Sequence, residues 1–168
     1  MGKIVQRSDR VAFYGIPTGT GETKSETFHR MTGFSSISKS KSPKSYNRQY
    51  VDEAFTREDV VGYSESVSYA FDETVGNAVH EDIANIADSE LIGDDAARNI
   101  VVVYLDQDAT ESGGKKATMR SYSVIPDAEG DKTDAYTRSG SFKCRGEIIH
   151  GTATSEDNWS TLTFTPTS

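Results

Sequence analysis

The residue types that most often carry catalysis or metal binding are sparse in this sequence. Its 168 residues include three histidines, His29, His80 and His150, and a single cysteine, Cys144. The histidines lack the spacing with which one helix face holds a zinc ion. His150 and Cys144 fall on one predicted apolar strand face, which favours a packed histidine and a small buried thiol over a ligand or a nucleophile. We therefore predict no enzymatic activity, no catalytic residue and no cofactor.

One acidic stretch partly matches a calcium-binding loop. Asp106 and Asp108 stand at alternate positions, as the first ligands of such a loop do. Glu111 occupies the sixth position, where the loop needs glycine, and Ala117 occupies the twelfth, where it needs glutamate. The pattern therefore favours a polar connection between strands, and we predict no metal site.

Charge is divided unevenly along the chain. Residues 1–50 hold nine Lys or Arg and three Asp or Glu, a net of +6, whereas residues 51–168 hold nine and 23, a net of −14. The two parts sum to the overall charge of −8. The positive charge is concentrated in a basic arm at about residues 38–50, and from Ser38 to Arg48 only Tyr46 could anchor that arm by apolar packing.

The basic arm allows three interpretations. Its composition alone is typical of a mobile, solvated loop. It could instead dock on the acidic part of another copy, because opposite patches on one chain favour head-to-tail contacts. A nucleic-acid-binding arm is the third interpretation, and the net charge of −14 on the remaining residues opposes it.

The apolar composition predicts a mostly β chain. The sequence has twelve Val and ten Ile against three Leu, and its Ser and Thr residues total 37. Val, Ile, Thr and Tyr fit pleated surfaces, whereas Leu is favoured in helices.

Alternation of apolar and polar residues predicts half-buried strands. One such pattern runs from Phe142 to His150. Ile100–Leu105 is apolar on both faces, which predicts a central strand. Pro17 and Pro126 are expected to end two further strands, since proline cannot donate to a sheet ladder. The side chains predicted to lie in the core are Val67, Tyr69, Phe71, Ile83, Val102, Phe142, Ile148 and Phe164.

One helix is predicted over Asn77–Gly93, where apolar residues recur at helical spacing. Asn77 can cap its start and Gly93 can close its end. The predicted fold class is therefore mostly β (α+β), a β-sandwich or barrel with one flanking amphipathic α-helix. The length suits a single domain over residues 1–168.

The sequence predicts neither a membrane anchor nor a secretory signal. The mean hydropathy is −0.58, and no apolar run approaches the roughly 18 residues that cross a bilayer, so we predict no membrane anchor. The first eight residues lack an apolar segment, so no secretory signal is expected.

A stretch of about 25 residues resembles a known family. Arg48–Tyr63, continuing through Ser64–Asp72, is similar to the major tail (tail tube) proteins of tailed bacteriophages. The order of the following elements is similar as well, so that the resemblance extends over roughly residues 10–166. It implies a β-sandwich or barrel, no enzymatic activity, and a structural role in the virion tail after assembly in the cytoplasm of the bacterial host.

The resemblance also implies partners. Copies of the chain would form rings, hexameric in the family, that stack into a tube. The tube would assemble on a tape-measure protein in its lumen and later conduct genomic DNA without binding it specifically. Candidate residues for contacts between copies are Lys39, Lys41, Lys44, Arg48, Tyr50, Asp52, Glu53, Arg57, Glu58 and Asp59.

Other interpretations remain open at this point. The inner tube of a contractile tail or of a phage-tail-like bacteriocin belongs to the same family. A different class is a small β-sandwich carbohydrate-binding module, which would use Trp159, Tyr46 and Tyr136 as exposed aromatic side chains.

Overall fold

Antiparallel strands make up most of the fold. The structure is a computed structural model that describes residues 2–18, 25–109 and 114–167. Within these ranges the strands are β1 (Arg10–Thr18), β2 (Ser25–Arg30), β3 (Phe34–Ser40), β4 (Pro43–Arg48), β5 (Arg57–Tyr63), β6 (Ser66–Asp72), β7 (Ala97–Asp108), β8 (Lys115–Glu129), β9 (Thr137–Cys144), β10 (Ile149–Thr154) and β11 (Thr161–Pro166). One α-helix, α1 (Ala78–Asp88), lies between β6 and β7 in the chain. The predicted fold class is confirmed.

Six of the strands close into a barrel. Their order is β10–β11–β2–β1–β7–β8, and β8 pairs with β10 to complete the circle. The long strand β8 makes closure possible, because Lys115–Met119 pairs with β10 while Tyr122–Glu129 leaves the barrel and pairs with β9.

The sheet continues beyond the barrel as an extension. From β8 it passes to β9, β6 and finally β3, which pairs on one side only. Strands β4 and β5 form a separate two-stranded sheet, here called the hairpin (residues 43–63). The hairpin leaves the extension between β3 and β6, so its base lies beside the barrel.

Two cores follow from the alternation along the barrel strands. Val11, Phe13, Val101 and Val103 point into the barrel, where they meet Phe28, Ala117, Ala153 and Leu162. The opposite faces of the same strands meet the extension and the helix in a second core. Its buried members are Tyr14, Val67, Tyr69, Phe71, Val79, Ile83, Ile86, Ala96, Ile100, Tyr122, Val124 and Phe142.

The helix is fixed at its start and along its inner face. The Asn77 side chain accepts hydrogen bonds from the backbone N–H groups of Val79 and His80, as predicted for the cap. The Tyr14 hydroxyl donates to Asp82 at 2.6 Å, and Arg98 donates to the same carboxylate at 2.9 Å. Burial, together with the adjacent Asp82, raises the pKa of Tyr14 well above its ordinary value.

The predicted end of the helix is wrong. The helix ends at Asp88 with Ser89 as its C-cap, and Gly93 instead starts a short 3-10 turn over Gly93–Ala96. The apolar spacing in the sequence continues to Leu91 because Leu91, which follows the end of the helix, packs against the same core.

Neither proline ends its strand. Pro17 lies inside β1 beyond Tyr14, the last residue of β1 that pairs with β7, so its missing N–H leaves no gap in that ladder. Pro126 pairs with Gly140 inside β8, and a register shift follows it before Ala128. Such a bulge accommodates a residue that cannot donate a ladder hydrogen bond.

The predicted core residues fall into three groups. Val67, Tyr69, Phe71, Ile83 and Phe142 are buried, whereas Val102 and Phe164 are half-buried. Ile148 is 39% exposed, so its assignment to the core is wrong. The alternating pattern from Phe142 to His150 spans two strands, β9 and β10, with a turn between them that resets which face each side chain occupies. His150 is exposed for the same reason.

Candidate assembly surface

The hairpin carries an unusual amount of exposed apolar surface. In the part of the chain that the structure describes, its two strands pair only with each other. Its exposed large apolar side chains are Tyr46, Tyr50, Val51, Phe55, Val60, Val61 and Tyr63. Isolated two-stranded hairpins are marginally stable in water, and contiguous exposed apolar surface marks a site of interaction. The hairpin is therefore the strongest candidate interaction surface among the described residues.

The ordered hairpin corrects the mobile-loop interpretation of the basic arm. Residues 38–40 belong to β3 and residues 43–48 to β4, so that only Lys41 and Ser42 lie between strands. Pro43 is the first residue of β4, where a proline costs no ladder hydrogen bond. A register shift between Lys44 and Ser45 leaves Val61 as an extra residue opposite them.

A buried carboxylate fixes the base of the hairpin. Glu65, which is 1% exposed, follows β5, and its Oε1 lies 3.2 Å from Lys39 Nζ and 3.5 Å from Lys41 Nζ. Its Oε2 lies 2.5 Å from Nη1 of Arg120 on β8. These four residues, here called the Glu65 cluster, tie both ends of the hairpin to the barrel.

The charges of the Glu65 cluster determine its protonation. Burial by itself raises the pKa of Glu65, but Lys39, Lys41 and Arg120 outweigh burial and hold the pKa below its ordinary value. Glu65 is therefore ionised at neutral pH. Lys39 and Lys41, predicted to contact another copy, are engaged by this carboxylate of their own chain.

The other candidate contact residues lie on the hairpin itself. Lys44 is exposed on β4, and Arg48 lies over the rings of Tyr46 and Tyr50, with its Cζ 5.1 and 5.7 Å from the ring centroids. Arg57 donates two hydrogen bonds to Glu53, at 2.7 and 3.0 Å.

The acidic candidates lie on the same hairpin as these cations. On β5, Glu58 pairs with Asn47 and Asp59 pairs with Tyr46. Asp52 lies in the connection between the two strands, here called the hairpin tip (residues 49–56), and it is exposed. The structure thus gathers eight of the ten candidates on one projecting element.

Sequence reasoning missed the apolar part of this surface. Val51, Phe55, Val60 and Val61 were not among the predicted contact residues, although four large apolar side chains within eleven residues that also hold four acids were a usable signal. Glu65 was missed as well. Its place on the apolar face of the predicted strand, in register with Val67 and Tyr69, was the signal that it is buried.

A cavity of about 310 Å³ opens between the barrel wall and the extension. Most of its lining residues are apolar, among them Ala12, Ile37, Val67 and Val102. Exposed Arg7 and Lys39 and half-buried Arg10 also line it. Val102 is half-buried for this reason: its face of β7 borders the cavity, not a packed layer.

The residues that could do chemistry are dispersed. Cys144 packs at the edge of the second core, and His80 is buried in an aromatic cluster with Phe34 and Phe71. Asp106 pairs with Arg10, and Asp108 pairs with Lys115 at 2.5 Å. Glu111 of the calcium-like stretch lies outside the described residues. In the three described ranges, no three His, Cys, Asp or Glu side chains are grouped to hold a metal.

The three aromatic residues of the carbohydrate-binding interpretation do not form one platform. Trp159 is half-buried and meets Phe13 edge-on, with ring centroids 6.4 Å apart. Tyr46 is on the hairpin. Tyr136 lies just before β9, where its hydroxyl donates to Glu129 at 2.7 Å.

Comparisons with known proteins find a likeness to solved structures. No family model and no curated protein match the chain. Its structure is similar to a chain in the cryo-EM structure of the anti-feeding prophage baseplate, 6-fold symmetrised, with 8% sequence identity and a TM-score of 0.48. The alignment covers 89% of this chain and 97% of that chain. Within the described ranges, no helix is long and apolar enough to span a membrane.

Proposed function

We propose that this chain is a structural subunit of a phage-type tail tube, which works by binding further copies of itself. The observation that carries the proposal is the hairpin, because it projects seven large apolar side chains into water and pairs with no other described strand. A surface of this kind is stabilised when another protein covers it. The resemblance of Arg48–Asp72 to tail tube proteins lies on the same element.

The free edge of the extension supports the same proposal. Among the strands of residues 2–18, 25–109 and 114–167, β3 pairs only with β6, so its outer backbone groups are available to a strand of another copy. Head-to-tail contacts between identical subunits either close into rings or continue as filaments. We propose rings, six-fold as the family resemblance implies, that stack into a tube in the virion tail. The inner tube of a contractile tail and that of a phage-tail-like bacteriocin remain members of this class.

The negative net charge of the chain suits a conduit for DNA. Six copies at −8 each would give a ring about −48. Like charge on a lumen repels phosphates, and screening at about 8–10 Å confines this effect to the lumen and its walls. Genomic DNA would therefore pass through without specific binding, after a tape-measure protein has left the lumen. Assembly would take place in the host cytoplasm.

Assembly of the purified chain tests this proposal. Sedimentation velocity over a hundredfold concentration range and negative-stain microscopy should reveal rings or tubes. The triple variant Val60→Ser, Val61→Ser, Tyr63→Ser should stay monomeric, because it removes apolar surface from β5. A control, Val75→Ser with Ile92→Ser, removes two apolar side chains elsewhere that are even more exposed, and it should assemble normally. A wild-type chain that remains monomeric throughout contradicts the proposed function.

A further inference from the structure

We propose that the hairpin tip of one copy inserts into the cavity between barrel and extension of another copy. Val51 and Phe55 would enter the apolar part of the cavity, and Asp52 would pair with Arg7 at its mouth. This inference rests on the proposed self-assembly and names the two surfaces that meet.

The hairpin tip has the form of an insertion element. Val51 is fully exposed and Phe55 is 82% exposed, and both stand in the turn that is farthest from the barrel. Glu53 between them is held by Arg57. Asp52 makes no ion pair with any described residue, so the tip presents two apolar side chains and one available carboxylate.

The cavity complements the tip in size, polarity and charge. Its 310 Å³ reaches the range of about 300–1,000 Å³ that holds bound ligands, so it has room for side chains of this size. Most of its lining residues are apolar. Of the three cations that line it, Arg10 pairs with Asp106 and Lys39 with Glu65, whereas exposed Arg7 is paired with no carboxylate in the described part of the chain. Arg7 of the cavity is thus available to pair with Asp52 of an inserted tip.

The tip cannot reach the cavity of its own chain. Lys39 lines the cavity and also belongs to the Glu65 cluster, so the cavity lies beside the hairpin base. The six residues of β4 advance about 3.3 Å each, which places the tip about 20 Å from that base. A second copy must therefore supply the tip. Because the two surfaces lie at different places on the subunit, the contact is head-to-tail and can repeat.

Truncation of the tip tests its role in assembly. Val51→Ser with Phe55→Ser should raise the critical concentration for assembly at least about 30-fold, the effect of losing a central apolar anchor. The matched control, Val75→Ser with Ile92→Ser, changes side chains that are 97% and 82% exposed and should leave that concentration unchanged. Normal assembly of the tip variant overturns the inference while leaving the proposed function standing. A wild-type chain that never assembles overturns both.

A charge exchange tests the pairing of tip and cavity. Arg7→Glu alone and Asp52→Arg alone should each raise the critical concentration about tenfold or more, because each places like charges together. The double variant should return to within about threefold of wild type. Both residues are exposed, so folding should be unaffected. Absence of this rescue contradicts the proposed pairing.

Photo-cross-linking locates the tip directly. With p-benzoylphenylalanine in place of Phe55, cross-links in assembled wild-type-like material should map to peptides that line the cavity, including Met31 and Val102 of a second copy. Cross-links confined to other surfaces overturn the inference, even if tip variants fail to assemble.

Discussion

The carboxylate of Glu65 lies 2.5 Å from the guanidinium of Arg120, inside the protein and at the root of its most exposed element. Glu65 stands between β5 and β6, and Arg120 belongs to the barrel strand β8. The ion pair therefore joins the projecting hairpin to the barrel. Because Lys39 and Lys41 reach the same carboxylate from the other side of the hairpin, one buried anion fixes both of its ends.

Removal of this anion should destabilise the chain. We expect Glu65→Gln to lower the free energy of unfolding at pH 7 by about 2–3 kcal/mol, less than the 3–5 kcal/mol of a fully buried pair because both lysines reach water. Urea denaturation measures the change. Glu53→Gln, which breaks the exposed pair with Arg57, is the control and should cost about 0.5 kcal/mol or less. Equal costs for the two variants would mean that the Glu65 cluster has no special role.

The same cluster predicts an acid dependence. The pKa of Glu65 is lowered in the folded chain from its ordinary value of 4.5, so its contribution to stability is complete above that pH. This contribution is lost as the pH falls below 4.5 toward the folded pKa. Glu65→Gln should therefore reduce the loss of stability between pH 5 and pH 3. If the stability of Glu65→Gln falls between pH 5 and pH 3 as steeply as that of the wild type, the pKa of Glu65 is not lowered.

Buried His80 should give a second pH dependence, at higher pH. Its ring stacks on Phe71 at 4.2 Å between centroids, and its Nδ1 accepts the N–H of Thr74 at 3.2 Å. Burial lowers the pKa of His80 from 6.5, although nearby Glu73 acts in the opposite direction. The unfolded chain then binds more protons below pH 6.5, so stability should fall as the pH drops through that value.

The test of His80 compares urea midpoints at pH 7.5 and pH 5.5. His80→Phe should remove most of the difference, whereas His150→Gln, at an exposed position, should retain it. If the two variants lose stability equally on acidification, His80 does not cause the dependence.

Adjacent residues of β7 should respond differently to a buried charge. Val101 points into the closed barrel and is fully buried, whereas Val102 borders the cavity. Val101→Asp should yield no folded protein, because an unpaired charge there costs several kcal/mol. Val102→Asp should fold with a smaller loss, since its carboxylate can be hydrated through the opening. Circular dichroism and thermal melts compare the two. Equal loss of folding would show that the two faces are equally closed.

Close backbone contact at Gly140 should forbid a side chain. A Cβ there would lie 2.4 Å from the Ile125 carbonyl oxygen and 2.7 Å from the Tyr69 hydroxyl. We expect Gly140→Ala to cost about 1–3 kcal/mol, the usual range for overpacking. Gly62→Ala in β5 is the control, because a Cβ at Gly62 meets nothing within 4 Å. A neutral Gly140→Ala in urea denaturation would mean that β8 and β9 can separate locally.

The sequence was a good guide to element type and a poor guide to element boundaries. The cap at Asn77 and the strand over Ile100–Leu105 follow from local side-chain chemistry. The continuation of β8 through Pro126 does not, because a bulge compensates for the missing donor and depends on β9. The exposure of Ile148 likewise depends on a turn that interrupts the alternating pattern.

For the candidate surface, the charge pattern pointed to the region of the hairpin, and the structure pairs two of its cations, Lys39 and Lys41, with a carboxylate of their own chain. That the candidate residues contact another copy stays a prediction. Lys39 and Lys41 look free in the sequence, since no acid lies within ten positions of either along the chain. Folding brings Glu65 to them across the base of the hairpin. An ion pair between residues more than twenty positions apart leaves no periodic pattern in the sequence from which it could be predicted.

The sequence by itself determined the β-rich class, the helix start and the division of charge. These properties depend on residue type and on contacts within a few positions. Only the tertiary structure decided that the barrel closes through β8 and β10, that Glu65 anchors the hairpin, and that Val51 and Phe55 remain uncovered. Each of these depends on which distant segments meet, because burial and ion pairing are set by neighbours in space.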